Sequence, residues 1–298
     1  MSLLNRRRFL VISAAACVAS TGSFAAVSRW TGQALGAPVS MQLVGVDQAE
    51  AHKIFAMVEA ELVRLEEIFS LYRETSELSR LNRFGVLDDP SAELLHVLST
   101  CSTLHDASNA QFDPTIQPLW KAIAQDSGAA AVETAKQKVG WSAIRFDASQ
   151  VSLPEGAALT LNGIAQGAVT DRIAARLRAN GLRDVLIDMG EIAAIGKGPN
   201  GPWSVGVALP DGTIVHRLTA TDRAIATSVP AAMLIGDGQD HILSPSGKGP
   251  VNGLVSVSAP SAMIADGLST ALCLVDATKA EAMVAGFPEA KIEVIKPI

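Results

Sequence analysis

Apolar residues recur at helical spacing through Ile54, Val58, Leu62, Leu65 and Phe69, which predicts one buried stripe on a long helix. Asp47 stands just before that run with Glu50 three residues on, a capping box, and the helix ends in Ser70-Leu71-Tyr72. A strand is predicted ahead of it over 39–46. A short helix follows from Ser76-Glu77-Leu78 to Asn82. A third starts at Pro90-Ser91 and carries Leu94, Leu95, Leu98 and Cys101 on one side. The segment Phe112-Asp113-Pro114 to Pro118-Leu119-Trp120 is punctuated by proline, and the Ala/Gly/Ser stretch 124–131 reads as a loop or a frayed helix.

Further along, the period shortens to that of strands. Runs at 143–146, 150–153 and 158–161 lead into a helix from about Gly163, closed by Gly181 as the residue past its end. Strands are then predicted at 184–188, 191–195, 203–208, 214–218, 224–228, 232–235 and 239–243, with Pro210-Asp211-Gly212 as a hairpin turn. Strand 253–259, helices 261–275 and 277–285, and a closing strand 290–296 complete the chain. No internal repeat or linker interrupts it, so the pattern predicts an α+β fold with a large, mostly antiparallel sheet and packed helices.

Composition changes this picture mainly at the N-terminus. Asn5-Arg6-Arg7-Arg8-Phe9-Leu10 puts paired arginines before Phe-Leu, and a weakly apolar stretch, Val11 to Ser20, comes next. The stretch is too short and alanine-rich to anchor in a membrane, so the arrangement looks like a twin-arginine export signal rather than a meaningless basic tail. Cys17 is a poor lipid-attachment site for the same reason. Cleavage is placed between Ala25 and Ala37, with Ala34-Leu35-Gly36-Ala37 as one candidate, which divides the chain into a leader of 1–37 and a domain of 38–298. Losing 1–37 takes Lys+Arg from 24 to 20 against 30 acids, a formal charge of about −10. That balance argues against nucleic acid as a partner. Only Cys101 and Cys273 remain, and buried free thiols are favoured over a disulfide.

Four constellations carry candidate chemistry. Leu159-Thr-Leu-Asn-Gly-Ile-Ala-Gln-Gly-Ala-Val-Thr-Asp171 runs a strand through a glycine-bearing turn into a helix, whose N–H groups suit a diphosphate. A tight strand–helix packing turn accounts for Gly163 and Gly167 equally well. Asp266 and Thr270 are four apart on one helix in apolar surroundings; they suit Mg²⁺ with phosphate oxygens and waters, or else a cap and a back-bonded Thr. His241, at the end of a strand before Ser244-Pro245-Ser246-Gly247, is either structural or the base for a hydroxyl nucleophile. Tyr72, the one tyrosine in the chain, could stack on a ring or cover the core.

Taken in order, these stretches resemble the ApbE family of FAD:protein FMN transferases. The resemblance runs from Met41 to about Val275 through SLYRETSELSRLN, Phe112-Asp113-Pro114, NGIAQG to Asp171, Asp188-Met189-Gly190, Ala226-Thr227-Ser228, His241 to Gly247, and Ala265 to Thr270. It implies an ApbE-like (T-fold-like) architecture, with Mg²⁺ held by Asp266, Thr270 and a backbone carbonyl at Gly163 or Ala165. It also implies FAD contacts from Met41, Tyr72, Gln111, Phe112, Asp113, Thr160, Gln166 and Val251. Asp266 and His241 become the catalytic pair, transferring FMN to a Ser or Thr of an acceptor protein with release of AMP. The chain departs from the common pattern at Thr160, Asn162, Gln166, Ala168, Glu191 and Val229. These departures resemble the NosX-type subgroup of nitrous oxide respiration, which implies a periplasmic, membrane-anchored FMN-domain acceptor of the NosR kind. The enzyme itself would be a monomer or a homodimer. Thr160 and Gln166 also admit a non-catalytic FAD carrier, and the metal and base positions admit a Mg²⁺-dependent FAD pyrophosphatase.

Overall fold

The computed structural model describes residues 26–298. The chain opens with a hairpin, β1 (Val27–Ala34) and β2 (Ala37–Val44). The helical region follows: α1 (Gln48–Phe69), α2 (Glu77–Phe84), α3 (Ala92–Ala107), α4 (Gln117–Ala124) and α5 (Ala129–Lys136). Short strands β3 (Val86–Asp88), β4 (Arg145–Phe146) and β5 (Gln150–Ser152) form a small sheet of their own. Then come α6 (Ala165–Ala179), β6 (Val185–Asp188), β7 (Ile192–Ile195), β8 (Trp203–Ala208), β9 (Ile214–Ala220) and β10 (Arg223–Ser228). The chain finishes with β11 (Leu234–Ile235), β12 (Gln239–Asp240), β13 (Asn252–Ala259), α7 (Ala262–Leu274), α8 (Ala277–Val284) and β14 (Lys291–Pro297).

The main sheet has the order β1-β2-β6-β7-β10-β13-β14, and every neighbouring pair is antiparallel. The α+β expectation is borne out. Period-2 alternation sorts the side chains to two faces. Met41, Leu43, Val185, Ile187, Ala193, Ala226, Val255 and Val257 meet the helices α1, α3, α6 and α7 in the principal core. Leu186, Ile192, Ala194 and Ile225 point the other way, onto Trp203 and Val205 of the β8–β9 hairpin. A sheet buried on both faces explains why 185–187 and 192–195 read as unbroken apolar runs.

The predicted caps form: the side chains of Asp47, Ser76 and Ser91 accept backbone N–H groups at the starts of α1, α2 and α3. Cys101 and Cys273 are buried free thiols, as expected. Among the described residues, no helix is long and apolar enough to cross a membrane.

The strand β3 and the helix α4 were not predicted from the sequence, and three further stretches differ from the sequence reading. The stretch beginning at Ala129 is a helix, α5, that fully buries none of its residues and turns only half-buried Val132 and Ala135 to a small apolar cluster. Residues 158–161 form no strand, although Leu159 and Leu161 are buried. Their backbone is held by a side chain instead: Leu159 N–H donates to Asn82 Oδ1 at 2.6 Å, and Asn82 Nδ2 donates to the Leu159 carbonyl at 2.8 Å. The third is the hairpin. The arginine motif lies outside the described residues, but 27–37, placed above in the leader, form β1 and the turn into β2.

Candidate active site

The site lies at one end of the main sheet, where the β6–β7 turn, the end of β10, the start of α6 and the middle of α7 converge. Helices α6 and α7 cross closely because Gly167 has no side chain; a Cβ there would lie 2.4 Å from the Ala262 carbonyl oxygen. Asp171, one turn further along α6, fixes the crossing by accepting from Ser261 Oγ and the N–H groups of Ala262 and Met263. That supplies partners for the start of α7 from a neighbouring helix.

The crossing brings Asp266 to the first turn of α6, where its Oδ2 accepts from Gly167 N–H at 3.0 Å. Asp266 is 3 % exposed. Burial pushes its carboxyl up to about 7; the Gly167 N–H acts against that, and the charge of Asp171 adds to it. One turn along α7, Thr270 faces the Gly163 turn so closely that a Cβ on Gly163 would lie 3.0 Å from Thr270 Oγ1. Ser228, the last residue of β10, lies 2.8 Å from Ser269 Oγ and 3.3 Å from Thr270 Oγ1 through its own hydroxyl. The NGIAQG turn and the Asp266/Thr270 pair, about a hundred residues apart in sequence, therefore form one cluster.

Directly before β7 stands a residue that the sequence marks only as a departure from the family pattern, not as a site residue. Glu191 is buried, and its carboxyl is held well above the usual range by burial and then by the charges of Asp266 and Asp188; the Thr227 N–H opposes this. The signal was a carboxylate inside the apolar run Val185 to Ile195. Ser228 was likewise quoted for the resemblance and not as a site residue.

His241 directly follows β12. Its Nδ1 lies 2.7 Å from the Pro230 carbonyl and 3.2 Å from that of Met233, both acceptors, so the ring proton sits on Nδ1 and Nε2 carries the lone pair. Burial holds the imidazole below its ordinary pKa, so it is neutral at pH 7. Trp120 Nε1 donates to the His241 carbonyl at 3.1 Å, tying the segment to α4.

The remaining candidates lie on other elements of the fold, apart from Gln166. Gln166, in the first turn of α6, packs over Gly190, whose φ of +98° and lack of a Cβ make room for it. Thr160 N–H donates to the Pro114 carbonyl at 2.8 Å, which joins the 112–114 segment to the approach of the glycine turn. Phe112 is buried. Asp113 is engaged structurally: its carboxylate accepts from Thr115 N–H, Thr115 Oγ1 and Trp141 N–H. Met41 is fully buried opposite Ile187 in the core. Tyr72 is 70 % exposed beside Gly36, and Val251 is exposed where its N–H meets the Cys273 carbonyl. Gln111 is half-buried, its N–H donating to the Ser108 carbonyl. Met41, Tyr72, Gln111 and Val251 make no hydrogen bond to Asp266 or Thr270.

Could this cluster hold Mg²⁺? Among the described residues, no three His, Cys, Asp or Glu side chains are arranged as a metal cage. Asp266 and Asp188 act on Glu191 through charge. A single buried carboxylate, a hydroxyl one turn away and a facing glycine turn fit a cation that takes most of its ligands from phosphate oxygens and water. The donor set suits Mg²⁺.

Fold and site define an α+β protein with a carboxylate–hydroxyl centre buried between two helices at the end of an antiparallel sheet. The ApbE family model matches residues 35–295, and the chain belongs to that family. It is 26 % identical over 301 residues to the FAD:protein FMN transferase of Haemophilus influenzae, covering 91 % of this chain and 86 % of that one. It is also 26 % identical to the Klebsiella pneumoniae protein of the same description, over 85 % and 80 %. Among solved structures, the Vibrio cholerae flavin transferase ApbE superposes with a TM-score of 0.78 at 22 % identity, over 91 % and 97 %. The Pseudomonas stutzeri flavinyl transferase ApbE gives 0.76 at 23 % identity, over 88 % of each chain.

Proposed function

We propose that this protein is a Mg²⁺-dependent FAD:protein FMN transferase that attaches FMN through a phosphoester to a Ser or Thr of an acceptor protein and releases AMP. Family membership and two relatives matched over most of their length support the activity. The observation that carries the site assignment is the meeting of Asp266 and Thr270 with the Gly167 and Gly163 turns.

A bound Mg²⁺ would be held by Asp266, Thr270 and a carbonyl at Gly163 or Ala165, and would neutralise charge on the FAD diphosphate. The chain supplies the rest. At the start of α6 the N–H groups of Ala165, Gly167 and Ala168 already donate to Leu161, Asp266 and Ile164, which leaves that of Gln166 to orient the diphosphate. His241, its tautomer set by the Pro230 and Met233 carbonyls, takes the proton of the acceptor hydroxyl at Nε2. That oxygen bonds to the FMN phosphorus as the bond to AMP breaks, and AMP leaves with the diphosphate's bridging oxygen. In this reading Tyr72, whose ring is exposed rather than in the core, covers the flavin.

The site of action in this reading is the periplasm. Arg6 to Leu10 followed by the apolar stretch supports twin-arginine export, and the departures at Thr160, Gln166 and Val229 support a NosX-like role with a membrane-anchored, NosR-type acceptor. Incubation with FAD, Mg²⁺ and a purified periplasmic FMN-binding domain tests the activity. The predicted product is covalent flavin on the denatured acceptor; FMN and AMP free in solution would mark a hydrolase, and bound FAD with no product a carrier.

A further inference from the structure

The hairpin at the N-terminus fixes where an exported chain can be cut. β1 pairs with β2 along its whole length, from Val27 opposite Val44 to Ala34 opposite Ala37. The pairing reaches one residue further back, because Gly45 N–H donates to the Ala26 carbonyl at 2.8 Å. β1 is also fastened to α1. Trp30 stacks on Phe55 with ring centroids 6.4 Å apart, Trp30 Nε1 donates to Glu59 at 2.8 Å, and Leu35 N–H donates to Glu66 at 2.8 Å.

The candidate at Ala34-Leu35-Gly36-Ala37 is the tight turn of this hairpin, with Leu35 and Gly36 at φ of +49° and +82° and both alanines buried. A protease needs an extended, exposed segment, and the bond after Ala37 lies inside a paired strand. Cutting there would also strip an edge strand from the sheet and leave Phe55 and Glu59 without Trp30, and Glu66 without the Leu35 N–H.

We propose that the leader is removed between Ala25 and Ala26, so that the mature chain keeps β1 whole together with the Ala26 carbonyl that accepts from Gly45. The sequence before that bond is Ser23-Phe24-Ala25, small residues flanking a bulky one, the pattern a leader peptidase accepts after an apolar stretch. Water adds across the Ala25–Ala26 peptide bond, leaving a carboxylate on the leader and an α-amino group on Ala26. The mature chain then loses three arginines and keeps Arg29. This inference rests on the export reading.

The test is the N-terminal sequence and intact mass of the full-length gene product recovered from the periplasm of a bacterium with a twin-arginine pathway. The expected result is a single N-terminus at Ala26, with Ala25→Arg accumulating uncut precursor. A periplasmic protein beginning at Pro38, or anywhere past Val27, would overturn the cut site and leave export standing, as would normal processing of A25R. A cytoplasmic protein that keeps residues 1–25 would overturn the export reading and this inference with it.

Discussion

The Asp266 carboxylate and the Gly167 backbone N–H are 3.0 Å apart, and this one hydrogen bond joins the middle of α7 to the first turn of α6. It aims the only acid of α7 at the glycine turn. Asp266→Asn keeps an oxygen that can accept from Gly167 but loses the charge that a cation needs. Mg²⁺-dependent transfer should fall at least about 100-fold with the fold intact. Covalent flavin per acceptor and far-UV circular dichroism check this; wild-type activity in D266N would refute the metal assignment.

Burial of Asp266 gives the stability of the metal-free protein a definite pH dependence. Its folded pKa is raised from 3.8 to about 7, so its contribution is fully present below 3.8 and is lost as pH rises through 7. The loss is on the order of 4 kcal/mol at pH 8, and Glu191, raised for the same reason, adds to it. Mg²⁺ binds the charged form. The rise in Tm on adding Mg²⁺ should therefore be larger at pH 8 than at pH 6, and E191Q should raise the Tm of the metal-free protein at pH 8. Equal Mg²⁺ shifts at both pH values would contradict this account.

His241 predicts a one-sided pH profile. The neutral ring is the base, and burial sets its pKa below 6.5. At saturating Mg²⁺, kcat/KM should be level above pH 7 and fall tenfold per unit below the inflection as Nε2 takes up a proton. H241A should lose about 100- to 10,000-fold in kcat and lose that slope. A variant that keeps the wild-type acid limb would move the titration to another group.

Gly163 and Gly167 separate the chemistry of the cluster from its packing. A methyl group at Gly163 meets Thr270 at 2.7 Å from Cγ2, so G163A should displace the hydroxyl and weaken Mg²⁺ binding, measured by titration calorimetry, about tenfold. At Gly167 the obstacle is the Ala262 backbone, which cannot rotate away. G167A should cost about 1–3 kcal/mol, more than the roughly 1 kcal/mol a helix gains from Gly→Ala, and lower the Tm by several degrees.

What the sequence discloses here is what is local. Asp47, Ser76 and Ser91 announce helix starts because a cap needs only its own next three residues. The stripe from Ile54 to Phe69 is legible because one face of α1 meets the core. α5 meets only a small cluster, through half-buried Val132 and Ala135, and Leu159 has a partner 77 residues away in Asn82, which imitates a neighbouring strand with one amide. The site divides in the same way. Asp266 and Thr270 share a helix and can be paired by spacing, whereas the closeness of Glu191 and Ser228 to them exists only once the sheet forms. β1 was hidden by its neighbourhood: following directly on an arginine-led apolar segment, it reads as more of the leader.

The central claim is the transfer itself. The protein is incubated with FAD, Mg²⁺ and a periplasmic FMN-binding domain, with and without EDTA, and the denatured acceptor is examined by in-gel flavin fluorescence and intact mass. The account predicts an acceptor carrying one covalently bound FMN, stoichiometric AMP, and neither product when the metal is chelated. FMN and AMP released into solution with the acceptor unmodified, or adduct formation indifferent to EDTA, would contradict it.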